Sequence, residues 1–129
     1  MAGKHLVLLG DSVFDNQAYV ARGRAVVDHL RRTLPPSDRV TLLAMDGDGS
    51  QDIPDQLRRL PPDTTHLALS VGGNDVLGCL HAFNAPCRSV SEAFTHLNEL
   101  QSQFASSYRS AVSMVARWQL PCVVCTIYD

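Results

Sequence analysis

The sequence predicts an α/β protein: a parallel sheet with helices on both faces, in a three-layer α/β/α arrangement. Short apolar runs alternate with stretches of helical periodicity, which is the pattern of βα units. The first run, His5-Leu6-Val7-Leu8-Leu9, is continuously apolar, as a strand covered on both faces must be. The first three strand runs also end in glycine-bearing turns, the usual device for leaving a strand sharply.

Gly10 closes the first strand. Residues 17–34 then place Ala18, Ala21, Ala25, Val26, Leu30 and Leu34 at three-to-four spacing, with Arg22, Arg24, Arg31 and Arg32 largely outside that stripe. The spacing predicts an amphipathic helix. Asp15 and Asn16 are its candidate N-caps, and Pro35-Pro36 stops it. Residues 39–45 read as the second strand, followed by Asp46-Gly47-Asp48-Gly49-Ser50 and a short helix over 52–60 that ends at Pro61-Pro62. The third strand, 66–71, runs into Gly72-Gly73-Asn74-Asp75. Residues 76–88, with Gly78 and Pro86, read as an irregular insertion.

Ser89-Val90-Ser91-Glu92 has capping-box spacing and opens a long helix. Its predicted buried stripe is Phe94, Leu97, Phe104, Tyr108, Ala111, Val115 and Trp118. Residues 121–128 form a fourth strand. The order is β-α-β-α-β-α-β, and in such sheets ligands bind at the carboxyl ends of the strands.

Composition narrows the function classes. The chain has 129 residues, 45% hydrophobic and 19% charged, with a formal net charge of −2. That balance excludes intrinsic disorder and lacks the basic footprint of a nucleic-acid binder. No apolar stretch is long enough for a membrane span. With no secretory leader in the first residues, the expected location is cytoplasmic. The reading is one domain over 1–129, with no metal or organic cofactor.

Four cysteines, Cys79, Cys87, Cys122 and Cys125, are too few for a disulfide scaffold. Cys122-Val-Val-Cys125 has C-x-x-C spacing but lies in an apolar run. Residues three apart in a strand point to opposite faces, so these read as buried structural thiols. Cys79 and Cys87 are candidates for a loop bridge in an oxidising compartment.

The chemistry concentrates at one rim. The turns after the first three strands bring Ser12, Gly47 and Asn74 to the carboxyl end of the sheet. A serine hydroxyl can act as nucleophile in acyl transfer, and a glycine N–H and an Asn amide are suitable donors for the developing oxyanion. The backbone N–H of Ser12 is a third.

Gly10-Asp11-Ser12-Val13-Phe14-Asp15-Asn16 resembles the first block of the GDSL, or SGNH, hydrolases. Gly72-Gly73-Asn74-Asp75 is similar to that family's Asn block, about 60 residues further on, and Asp46-Gly47-Asp48-Gly49-Ser50 to its glycine block. Val13 stands where the eponymous Leu would be. The resemblance implies a flavodoxin-like sheet and hydrolysis of carboxylic esters of small molecules, with acetyl or other short acyl groups. Carried over, Ser12 is the nucleophile, and Gly47 (with Gly49 as rival) and Asn74 complete the oxyanion hole.

One block is absent: no Asp-x-x-His occurs near the C-terminus, and the histidines are His5, His29, His66, His81 and His96. A serine hydroxyl without an adjacent base is a weak nucleophile. The expectation is therefore an SGNH-like domain with strand order 2-1-3-4, lacking a fifth strand and the catalytic His, and impaired as an esterase. His81, seven residues after Asn74, is the one stand-in on the same rim; His5 and His66 lie at the other end of the sheet. An exposed fourth-strand edge would favour self-association or strand exchange. Two alternatives stand beside this: a non-catalytic α/β module or fragment binding a small acyl or oxyanion ligand, and a nucleotide-binding flavodoxin-like protein. The last is disfavoured because no phosphate loop is present and Asp11 and Asp75 would repel phosphate.

Overall fold

The computed structural model describes residues 2–127. Four parallel strands, β1 (His5–Gly10), β2 (Arg39–Leu42), β3 (His66–Ser70) and β4 (Cys122–Val124), form one sheet in the order β2-β1-β3-β4. The expected topology is present. The register pairs Gly10 with Ser70, so β1 and β3 finish side by side. The fourth strand is shorter than 121–128, and Tyr128 lies outside the described residues.

Strand alternation divides the core in two. Val7 and Leu9 pack with Leu67, Leu69 and Val71 beneath α2 (Ile53–Leu57) and α4 (Val90–Ala116), which supply Ile53, Leu57, Ala111 and Val115. Leu8 faces the other way and packs with Phe14, Ala25, Val27, Val40 and Ala44 under α1 (Val26–Thr33). These two faces make the three layers.

Several elements depart from the periodicity. The predicted helix over 17–34 is regular only in α1; a single 3-10 turn spans Gln17–Tyr19, and Ala18 and Ala21 are exposed. Asn16 still acts as a helix cap from a distance, its Oδ1 accepting from the Val26 N–H at 3.0 Å. A capping oxygen supplied through a loop leaves the intervening residues free of helical constraint. Residues 76–88 are also more ordered than an irregular insertion: α3 (Gly73–Gly78) and a 3-10 helix (Leu80–Asn84) occupy the segment. Asn74 therefore sits in the first turn of α3.

Ser89 caps α4 as expected, accepting from the Glu92 N–H at 3.1 Å. The Glu92 carboxylate reaches the Arg88 N–H rather than that of Ser89. The stripe on α4 is buried only in its last third. Ala111 and Val115 are buried and Phe104 stacks on Tyr108 at 5.8 Å, but Phe94 is 67% exposed. Leu97 and Trp118 are exposed as well.

The cysteines correct a further expectation. All four are free; Cys122 is exposed and Cys125 half-buried. Neither is a core thiol, because β4 is an edge strand of three residues and all three are exposed. Both thiols line one apolar groove of about 450 Å³ between α1 and β4, with Leu6, Leu30 and Ala68 among its walls. The backbone leaves regular strand geometry after Val124, which removes the alternation that would separate them. At the far end of the sheet, His5 is buried between Asp63 (3.0 Å) and Thr41 (2.8 Å). Burial and then the Arg39 cation lower its pKa. Asp63 is half exposed and also pairs with Arg39, so its pull on the imidazole is shared.

Candidate active site

The loops after β1, β2 and β3 meet at the carboxyl edge of the sheet, held together by hydrogen bonds at nearly every turn. Gly10 starts the first. Its φ is +127°, and a Cβ there would lie 1.8 Å from the Ser70 carbonyl oxygen; no larger residue fits. The Asp11 N–H then donates to that same oxygen at 3.0 Å, fixing the start of the Ser12 turn against the end of β3.

Asp11 is buried and its carboxylate accepts from the Val13 N–H at 3.0 Å, an Asx turn that folds the chain tightly around Ser12. Burial raises its pKa, Asp75 and Asp46 add to the rise, and the Val13 bond opposes it. Ser12 itself is half-buried. Among the described residues, its hydroxyl has no protein hydrogen-bond partner.

The second loop supplies Gly47, Asp48 and Gly49. Gly47 is exposed at φ +89°, with open space around its Cα. Gly49 is buried, and its N–H is already committed to the Asp52 carboxylate at 2.8 Å. A donor engaged internally is not available to a ligand, so of the two glycines Gly47 is the freer.

Asn74, at the start of α3, turns towards this second loop. One Nδ2 hydrogen donates to the Asp48 carbonyl at 2.8 Å, and an amide nitrogen carries a second. Next to it, Asp75 accepts from Ser50 through both the N–H (3.0 Å) and the hydroxyl (3.1 Å). Thus Ser12, Gly47 and Asn74 occupy three adjacent turns on one rim, the second and third joined directly.

The first loop meets the second directly, through the Asp46 N–H to the Asp15 carboxylate (2.8 Å) and the Met45 N–H to the Gly10 carbonyl (3.0 Å), and a further residue that joins them was not visible as a motif. Gln56 in α2 is 0% exposed. Its Oε1 accepts from the Gly10 N–H and its Nε2 donates to the Gly10 carbonyl, both at 2.8 Å. The same Nε2 donates to the Asp48 carboxylate, again at 2.8 Å. The signal was present in the spacing: Ile53, Gln56 and Leu57 share the buried stripe of α2, and a polar residue on an apolar stripe needs partners.

The histidines are elsewhere. His81 is exposed, and its Nδ1 lies 2.8 Å from the Gly78 carbonyl. Among the described residues no histidine hydrogen-bonds Ser12, and no cluster of three or more His, Cys, Asp or Glu side chains is arranged to hold a metal. The rim charge is acidic, from Asp11, Asp15, Asp46, Asp48, Asp52 and Asp75. No helix among the described residues is long and apolar enough to cross a membrane.

No known sequence family and no curated protein matches the chain. Its fold, however, matches solved structures. One is a phospholipase A1 from Streptomyces albidoflavus, at 20% identity and a TM-score of 0.63, over 95% of this chain and 59% of that one. A second is a variant of the esterase AlinE4, at 21% identity and a TM-score of 0.61, over 95% and 58%. A third is a variant of an acetyl xylan esterase from Geobacillus stearothermophilus, at 19% identity and a TM-score of 0.56, over 95% and 59%. Another AlinE4 structure is described as an SGNH-hydrolase family esterase. The chain has the fold of these hydrolases and spans under two thirds of the length of these three structures.

Proposed function

We propose that the rim is an acyl-transfer site of the SGNH type that acts on uncharged carboxylic esters. Ser12 Oγ attacks the ester carbonyl, and the Ser12 and Gly47 N–H groups with the free Asn74 amide hydrogen take the oxyanion. The alcohol leaves with a proton, an acyl-Ser12 ester remains, and water cleaves it to the carboxylic acid. The observation that carries this reading is the joining of three strand-end turns around a serine hydroxyl that, among the described residues, hydrogen-bonds no protein group. The six rim aspartates favour neutral substrates, since anionic ones would be repelled. The esterase and phospholipase names of the matched structures are consistent with ester cleavage, and leave the acyl and alcohol parts open.

The same reading demands a base for the Ser12 proton. No Asp-x-x-His follows Asn74 in this sequence, and the match at Asp63 and His66 opens β3 at the opposite end of the sheet from Ser12; in a serine protease removal of the base alone costs about 10⁶-fold in kcat. On this reading residues 1–129 make the nucleophile and oxyanion half of a hydrolase domain, and the base comes from outside them. The exposed edge at β4 is where a further strand, from such a segment or from a second copy, would pair. Concentration-independent sedimentation as a monomer would remove the second copy.

The test is p-nitrophenyl acetate hydrolysis by the chain beside Ser12→Ala, with peptide mass spectrometry of the product. A slow rate that depends on Ser12, with an acetyl group on that residue, is expected. In that assay Asn74→Ala lowers the Ser12-dependent rate about 100- to 1000-fold. Equal rates for parent and Ser12→Ala sink the nucleophile. Binding of a short carboxylate to the unreactive chain would then favour a non-catalytic module.

A further inference from the structure

We infer that Gln56 is a positioning residue of this rim, helping to set the distance between the Ser12 turn and the Asn74 amide. Its role in the reaction rests on the acyl-transfer reading above; its geometry does not. The side chain is fully buried and uses its acceptor and both of its N–H donors, each at 2.8 Å. Two of the three bonds form a closed pair with Gly10, as two directly opposed residues of an antiparallel pair exchange theirs. They hold both polar groups of the glycine that stands two residues before Ser12.

The third bond carries the constraint onward. It holds the Asp48 carboxylate, and the Asp48 carbonyl accepts from Asn74 Nδ2 at 2.8 Å. The chain Ser12 turn, Gly10, Gln56, Asp48, Asn74 is therefore continuous and contains only short bonds. An apolar residue would suit the buried stripe of α2 equally well, for Ile53 and Leu57 flank it there. A buried amide with every group satisfied instead specifies one arrangement of its partners. Misplacing a reacting group by about 1 Å can cost about 100-fold in rate, which is the scale of effect at stake.

Three variants of the whole chain test this. Gln56→Met keeps length and apolar fit and removes all three bonds. Gln56→Glu keeps the shape but, when ionised, has no N–H for Gly10 or Asp48 and sets one carboxylate against another. Asp48→Ala removes the carboxylate that Gln56 holds but keeps the backbone carbonyl that Asn74 uses, at a residue that is only half-buried, and serves if neither Gln56 variant folds. Two readouts are taken: the rate of Ser12 acetylation by p-nitrophenyl acetate, relative to the parent at each pH, and the NMR resonances of the Asn74 side-chain amide.

Expected are a 10- to 100-fold slower acetylation in Gln56→Met, a shift of the Asn74 amide resonances, and a relative rate for Gln56→Glu that climbs from pH 8 to pH 5 as its carboxyl regains a donor proton. A packing role alone would leave the Asn74 resonances of folded Gln56→Met unmoved. Gln56→Met and Asp48→Ala with parental rates and unmoved Asn74 resonances overturn the inference. If the parent itself acetylates no faster than Ser12→Ala, the acyl-transfer reading falls, and the Asn74 resonances alone then decide whether Gln56 positions that amide.

Discussion

The two ends of α4 carry the same kind of apolar stripe and meet opposite fates. Ala111 and Val115 are 1% and 2% exposed against the sheet, whereas Phe94, 17 residues before Ala111 in the same periodic pattern, is 67% exposed. The elements just before it in the chain, α3 and the 3-10 helix Leu80–Asn84, likewise expose Leu77, Leu80 and Phe83. Periodicity reports which face of a helix is apolar. Whether anything covers that face is decided by elements far away in sequence.

Substitutions should divide along that line. The largest effect belongs to the covered end: Ile53→Ala, in the cluster that receives Ala111 and Val115, should destabilise by about 2–5 kcal/mol in urea unfolding. Ala111→Leu should cost about 1–3 kcal/mol, because added methylenes have nowhere to go in a filled core. On the same covered side burial acts on charge as well as on packing. Asp11 holds its proton more tightly folded than unfolded, above its ordinary 3.8. Its ionisation therefore subtracts stability as pH rises through the folded value, and the deficit is absent well below 3.8. Asp11→Asn, which keeps an acceptor for the Val13 N–H, should accordingly raise Tm at pH 7 and leave it unchanged near pH 3.

Smaller effects mark the open end. Ser89→Ala should cost about 1 kcal/mol by removing the cap at the start of α4. Phe94→Ser should change stability by no more than about 0.5 kcal/mol. A loss of several kcal/mol at Phe94 would mean that the stripe is covered in solution and that the two ends are not different after all.

Much of the architecture was legible because it depends on local rules. Continuous apolar runs gave the first three strands, and the glycine turns gave the rim on which Ser12, Gly47 and Asn74 lie. The misreadings share one cause, which is that a local pattern was completed by something remote. Asn16 caps α1 across ten residues, and the segment 17–25 holds only the 3-10 turn Gln17–Tyr19 and no α-helix, although its alanines are helically spaced. Cys122 and Cys125 looked buried because their run is apolar, but an edge strand has no second neighbour to bury it. Gln56 escaped notice because no motif contains it; only the partners at Gly10 and Asp48, 46 and 8 residues away, reveal its use.

The placement of β4 has a kinetic consequence. β1, β2 and β3 are joined by short crossovers, whereas β4 reaches β3 only after α3, the 3-10 helix and the 27 residues of α4 have intervened. It is then held through a three-residue register, Leu67 to Cys122 through Leu69 to Val124. Its separation is not what sets it apart, since Leu6 pairs with His66 across 60 residues and Leu67 with Cys122 across 55; but three register pairs give little reward for closing so long a loop before the rest of the sheet is in place. The central three strands should therefore condense first, with β4 docking late. Destabilising changes in β4 should quicken unfolding and leave the folding rate nearly unchanged.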